Sequence, residues 1–143
     1  MKPKVLLRIA AVVMFLHVVG HTIGAATWKQ TNEPAKQEVI KRMVEQKFPF
    51  MGTVRSMAEY YDGYGYSSTI ALLLAVTLLW ILFGLAERNA VVAAKILLPV
   101  SLFLLLLGID EIIFFFPLAA GMSLLGALLG GLSLLTLRKQ EAR

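Results

Sequence analysis

The chain has 143 residues, of which 58% are hydrophobic and only 16% charged, and its mean hydropathy is +0.74. Soluble domains carry about 25% charged residues, so this composition excludes both a water-soluble globule and a disordered tail. The absence of cysteine removes disulfides, CxxC redox pairs, thiolate metal sites and a cysteine nucleophile. The net charge of +5 sits in clusters: Lys2, Lys4 and Arg8, then Arg88 and Lys95, then Arg138, Lys139 and Arg143. No base-stacking aromatics accompany them, so they read as charges flanking membrane spans, and no nucleic-acid partner is expected.

A hydrocarbon layer of about 30 Å takes roughly 20 helical residues. Four apolar stretches reach that length, at about 5–26, 67–86, 91–113 and 118–137. Lipid offers backbone amides no partners, which forces such stretches into helices. The expected fold is all-α, a four-helix transmembrane bundle forming a single integral membrane domain over residues 1–143.

The first stretch also fits a cleavable signal peptide, with basic residues ahead of it and Gly24-Ala25-Ala26 behind. Retention is favoured by its length and by the helical spacing of His17, Gly20, His21 and Gly24. These four share one face, together with Ala10 and Trp28, while Arg8 points the opposite way. Such a face is too polar and too small for lipid. Gly20-x-x-x-Gly24 is expected to let a second helix approach closely. Two histidines at i,i+4 can hold one metal ion, so His17 and His21 are the metal ligands if any exist. They cannot serve as opposite axial ligands of one haem, and no cofactor is expected.

The loop at 28–66 is expected to be structured. Thr31-Asn32-Glu33-Pro34 signals a helix start, with a capping side chain ahead of a first-turn proline. Ala35, Val39 and Met43, with Ile40, Val44 and Phe48, then form one apolar stripe. Glu38 and Arg42 make an i,i+4 pair on the polar side. The segment reads as an amphipathic helix ended by Phe48-Pro49-Phe50, either lying on the membrane, capping the bundle or acting as a lid.

Residues 51–66 (MGTVRSMAEYYDGYGY) pack four tyrosines, two acids, Arg55 and three glycines into sixteen positions. Arg55 and Glu59 are spaced to pair on a helical turn, and Gly63 and Gly65 to stop that helix before the second span. The tyrosines fit an interfacial belt or the rim of a substrate site.

The later spans read as packing elements. Ala71 with Ala75, and Gly126 with Gly130, are small-xxx-small pairs. Pro99 is expected to bend the third span. The third span also carries Asp110 and Glu111 in its outer third. Burying a carboxylate in lipid is costly, so at least one of them is expected to find His17, His21 or Arg55. Both cannot face inward, because neighbours on a helix differ by about 100°.

The candidate site is therefore His17, His21, Arg55, Glu59, Tyr60, Asp62, Asp110 and Glu111, gathered near the outer rim. Three accounts stay open: a polar network fixing helix register, a pocket for a small apolar or lipid-like ligand, and catalysis or metal chemistry. No HExxH, nucleophile elbow or phosphate-cradling loop accompanies these residues. Eight Lys/Arg flank the termini and the 87–90 link. Six lie in the 39 residues at 28–66, diluted by five acids. That balance places both termini in the cytoplasm and the long loop outside.

The runs LHVVGHTIGAATW at 16–28, FPFMGTVRSMAEYYDGYGYS at 48–67 and IIFFFPL at 112–118 resemble a family of small bacterial four-span membrane proteins to which no activity is attached. The matching motifs are Gly20-His21-Thr22, Met51-Gly52 with Arg55-Ser56, and Phe115-Phe116-Pro117. The resemblance implies a retained first span and the bacterial cytoplasmic membrane. The functional expectation is a non-enzymatic multi-pass protein binding a small apolar ligand, a membrane partner or a second copy near its outer face. The alternative is a membrane-embedded enzyme or metal-binding protein using His17 and His21 with Asp110 or Glu111.

Overall fold

In a computed structural model the described residues are 2–141, with side chains described through residue 139, so Arg143 of the C-terminal basic cluster lies outside them. Five helices and one hairpin follow in order: α1 (Pro3–Thr27), α2 (Pro34–Glu45), β1 (Lys47–Phe50), β2 (Thr53–Ser56), α3 (Met57–Arg88), α4 (Ala90–Phe114) and α5 (Pro117–Glu141). The four expected spans are α1, α3, α4 and α5, each long and apolar enough to cross a bilayer. Three helices open on a proline, whose missing N–H costs nothing in a first turn. The break between α3 and α4 is tighter than the four-residue link expected. Only Asn89 interrupts the two helices, and its side chain accepts from the Val92 N–H as an N-cap. Through Pro99 the helix α4 runs unbroken.

The chain divides into two compact units: Met1–Val18 with Leu72–Arg143, and Val19–Ala71. The first unit contains most of α1 and α3 and all of α4 and α5, so it is a four-helix bundle. Leu7, Met14, Leu79, Leu82, Leu97, Leu104 and Leu137 are completely buried. Along α5, Ser123, Gly126, Ala127, Gly130 and Ser133 form a stripe of small residues. A Cβ at Gly126 would meet Met14 Sδ at 2.9 Å, and one at Gly130 would fall on Ser101 Oγ. The small-xxx-small pair on α5 is therefore a real close contact. Ser133 Oγ donates to the Pro3 carbonyl at 3.3 Å, and Lys4 pairs with Glu87 at 2.9 Å.

Leu73, Leu74, Ile81, Leu98, Leu102, Leu106, Leu128 and Leu135 face outward and are exposed, whereas His17, Glu111, Ser123 and Ser133 are buried. A bundle whose outer surface is this rich in leucine, around an apolar core that holds a few buried polar groups, matches hydrocarbon rather than water as its surroundings. This is a multi-pass membrane protein.

The second unit comprises the end of α1, then α2, the hairpin and the start of α3. The Pro34 start of α2 agrees with the sequence, but its N-cap is Glu33, which makes no side-chain cap bond; Thr31 Oγ1 instead accepts from the Glu33 N–H. Glu38 and Arg42 pair at 2.9 Å as spaced. The apolar stripe does not run on to Phe48, because α2 ends at Glu45 and Phe48-Pro49-Phe50 is strand. That strand pairs antiparallel with β2, placing Phe48 opposite Arg55 and Phe50 opposite Thr53. Met51 (φ 45°) and Gly52 (φ 83°) make the turn, both with positive φ, as the tight hairpin turn of matching twist requires. Glycine accepts this freely, whereas a side chain in that region costs about 1–2 kcal/mol.

Gly63 and Gly65 do not stop a helix. α3 continues through both for 32 residues, about 48 Å at 1.5 Å each. That exceeds a hydrocarbon layer of about 30 Å. Its polar first ten residues, 57–66, therefore stand outside the apolar run that starts at Ser67.

Candidate functional site

The sequence-derived candidates are shared between the two units: His17, Asp110 and Glu111 belong to the first, and His21, Arg55, Glu59, Tyr60 and Asp62 to the second. In the bundle, α1 supplies His17, α4 supplies Glu111 and α5 supplies Ser123. His17 Nε2 lies 3.1 Å from Glu111 Oε1, and its Nδ1 lies 3.3 Å from Ser123 Oγ. His17 is 4% exposed, Glu111 5%, and Ser123 is fully buried. One tautomer satisfies both contacts: Nε2–H donates to the carboxylate and Nδ1 accepts from the serine hydroxyl. The second carboxylate oxygen of Glu111 and the Ser101 hydroxyl are buried and meet no hydrogen-bond partner among the described residues. Asp110, one residue and about 100° away, is exposed. Of the two adjacent acids only Glu111 turns into the bundle, and Asp110 takes no part in this set. Ser123 was missed in the sequence because a lone serine on an apolar span carries no signal of its own.

In the second unit, His21 Nε2–H donates to the Gly65 carbonyl at 3.1 Å, which also accepts from Thr69 Oγ1 at 3.0 Å. Here α1 and α3 come close: a Cβ on Gly65 would lie 3.2 Å from Ala25 Cβ. Gly20 and Gly24 do not play that role, since a Cβ on either would meet nothing within 4 Å. Spacing alone permits a close approach, but an opposing backbone is what uses it. That contact also explains why glycine is tolerated inside α3, where each costs about 1 kcal/mol relative to alanine.

Asp62 is the hub of this unit. Its Oδ1 accepts from Trp28 Nε1–H at 2.7 Å and its Oδ2 from Lys29 Nζ at 2.6 Å. The Trp28 ring packs on Tyr61 with centroids 4.5 Å apart, and the Lys29 ammonium lies 5.3 Å from the Trp28 ring centroid. The Lys29 and Trp28 hydrogen bonds hold the Asp62 carboxyl below its ordinary value. A depressed carboxyl stabilises the fold above its unfolded value near 4, and that contribution is lost as pH falls through the folded value. On acidification below about pH 4, release of Trp28 is the expected result. It is read as a red shift and loss of Trp28 emission in a Trp80→Phe background, and is absent from Asp62→Asn.

Arg55 and Glu59 do not pair. Arg55 sits on β2, outside any helix, and its Nη1 donates to the neighbouring Val54 carbonyl. Glu59 Oε2 accepts from the Ser56 N–H at 2.6 Å, while Ser56 Oγ accepts from the Glu59 N–H at 3.2 Å. This reciprocal capping box opens α3, and the Ser56 N–H holds the Glu59 carboxyl below its usual range. Its signal, Ser-x-x-Glu at 56–59, is legible in the sequence. Arg55, Glu59, Tyr60, Gly63, Tyr64 and Ser67 line a shallow groove of about 300 Å³.

A larger groove of about 450 Å³ is lined by Ala35, Lys36, Val39, Ile40 and Met43 of α2 and by Trp28 and Tyr61. α2 buries none of its residues; its apolar stripe forms one wall of this groove and the aromatic pair another. Lys36 is tied to Glu33 at 2.8 Å, and that hydrogen bond raises its ammonium above the ordinary value. Among the described residues, no three His, Cys, Asp or Glu side chains come together as a metal-ligand set. His17 has both ring nitrogens engaged, and His21 meets a backbone carbonyl with one of its own. Comparison of the chain with protein-family models, curated proteins and solved structures finds no match.

Proposed function

We propose that this membrane protein binds a single-chain amphiphile, such as a fatty acid or a lysolipid, in the groove between α2 and the Trp28–Tyr61 pair. One observation carries the reading: the apolar stripe of α2 is unburied, yet it lines a groove of about 450 Å³ walled by two aromatic rings. Ligand pockets of about 300–1,000 Å³ with aromatic and aliphatic walls and a few polar groups at the rim are the usual form of such sites. Lys36, among the lining residues, supplies one such group, and Asp62 accepts a hydrogen bond from the Trp28 ring that forms the opposite wall. The family resemblance implies a bacterial cytoplasmic membrane, and the balance of flanking Lys and Arg supports an orientation with both termini inside and the groove-bearing loop outside.

A second reading, chemistry at the His17–Glu111 pair with Ser123, draws on their hydrogen-bonded geometry. It ranks below the first because all three are buried and both imidazole nitrogens have protein partners. Under this proposal the three helices use that set to hold register.

The test uses the native tryptophans, of which there are two. In Trp80→Phe protein, a brominated fatty acid is expected to quench Trp28 saturably. Val39→Arg, a change at an exposed position on the groove wall, is expected to weaken that quenching about tenfold, equivalent to 1.4 kcal/mol. Quenching that rises without saturation and is unchanged by Val39→Arg would show simple partitioning and defeat the proposal.

A further inference from the structure

The β1–β2 hairpin carries an apolar tip that the folded chain does not cover. Met51 is 89% exposed, and Phe48, Phe50 and Val54 are exposed beside it. Phe50 has one ring neighbour, Tyr60, edge-on at 6.3 Å. A two-stranded hairpin of four-residue strands is marginal in water on its own.

Met51 sharpens the point. It adopts φ 45°, where Asn or Asp is the residue that such a turn prefers. An apolar side chain at a strained position gains nothing from internal contacts when it is almost wholly exposed. Its gain must come from something outside the chain.

We propose that this tip inserts into the interfacial layer of a lipid bilayer, with Phe50 and Met51 entering the acyl boundary and Lys47 and Arg55 meeting lipid phosphates. Three features favour lipid as the occupant. The chain is already a membrane protein, and β2 leads directly into α3, whose apolar run begins ten residues later, about 15 Å along the helix. Tyr64 and Tyr66, exposed in those ten residues, are the residue type enriched at the membrane–water boundary. The cations complement anionic headgroups: Lys47 is exposed at the hairpin base, and Arg55 uses one guanidinium nitrogen on its own strand and leaves the others for phosphate oxygens. Apolar residues leading and basic residues trailing is the arrangement by which interfacial elements dock.

The absence of native cysteine makes the test direct. Met51→Cys, and separately Glu38→Cys on the polar side of α2, are spin-labelled. Each is reconstituted into vesicles of phosphatidylcholine and phosphatidylglycerol in equal parts. At position 51, collisions with oxygen are expected to exceed those with a water-soluble nickel chelate, with the opposite order at position 38. In a second pair of proteins labelled at Thr53→Cys, adding Met51→Asp is expected to bring the oxygen-to-nickel ratio down to that of position 38. A ratio at 51 equal to that at 38 would overturn the proposal. So would a label shielded from both reagents with spin–spin broadening, which would mean that a second copy covers the tip.

Discussion

Glu111→Ala is expected to be the most destabilising single truncation of a polar side chain in the bundle, at about 1–3 kcal/mol, the range for leaving a buried donor without its acceptor. The reason is geometric. Glu111 and His17 are both buried, so a His17 Nε2–H left alone has neither protein acceptor nor water. Glu111→Gln keeps the volume and a carbonyl oxygen for that donor. Its cost should stay near the 0.6 kcal/mol average, and below about 1.7 kcal/mol, for interhelical hydrogen bonds in membrane bundles. Asp110→Ala, on the adjacent exposed residue, should fall within about 0.5 kcal/mol of the parent. Unfolding in mixed micelles, followed by far-ultraviolet circular dichroism, separates the three. Equal losses at 110 and 111 would mean that the pair holds nothing together. Coupling is measured with the His17→Ala/Glu111→Ala double variant, which should be more stable than the sum of the single losses implies.

Gly108→Val should have an effect of similar size, about 1–3 kcal/mol, through overpacking. A Cβ at Gly108 would fall 2.7 Å from Leu124 Cγ and Cδ2 and 3.2 Å from the Leu124 backbone nitrogen. The side chain can turn away, but the backbone of α5 cannot yield without parting from α4. Two comparisons make the result specific. Gly121→Val, where a Cβ meets nothing, should leave stability nearly unchanged, and so should Gly20→Ala, although Gly20 belongs to the most conspicuous glycine motif in the chain. Thermal unfolding in one detergent ranks them. A ranking that followed the motif, with Gly20 costlier than Gly108, would contradict the packing described.

The two comparisons show where reading the sequence succeeds and where it stops. The membrane spans were legible because each rests on a local quantity, namely enough consecutive apolar residues for a helix to cross hydrocarbon. All four appear as helices. The helix α2 and its Glu38–Arg42 pair were legible for the same reason, as spacing within one helix. The hairpin was not, since two four-residue strands are too short to show a period of two, and Pro49 argues for a break. α3 overran its expected start because two glycines, unfavourable in isolation, are offset by the Ser56–Glu59 capping box and by the fit of Gly65 against Ala25.

The candidate site divides along the same line. That an intramembrane acid would need a partner follows from the cost of burial, and composition alone carries it. Which acid turns inward, that Ser123 takes the other side of His17, and that Asp62 rather than Glu59 gathers Trp28 and Lys29, were decided only by the tertiary structure. A step of one residue turns a side chain by about 100°, and the azimuth of each helix is fixed by the packing of its neighbours. By itself the sequence determined the solvent of this protein and the number of its crossings, because these depend on lengths and apolar content within single segments. The contacts among its few polar groups belong to the folded chain, because each depends on the relative rotation and register of helices far apart in sequence.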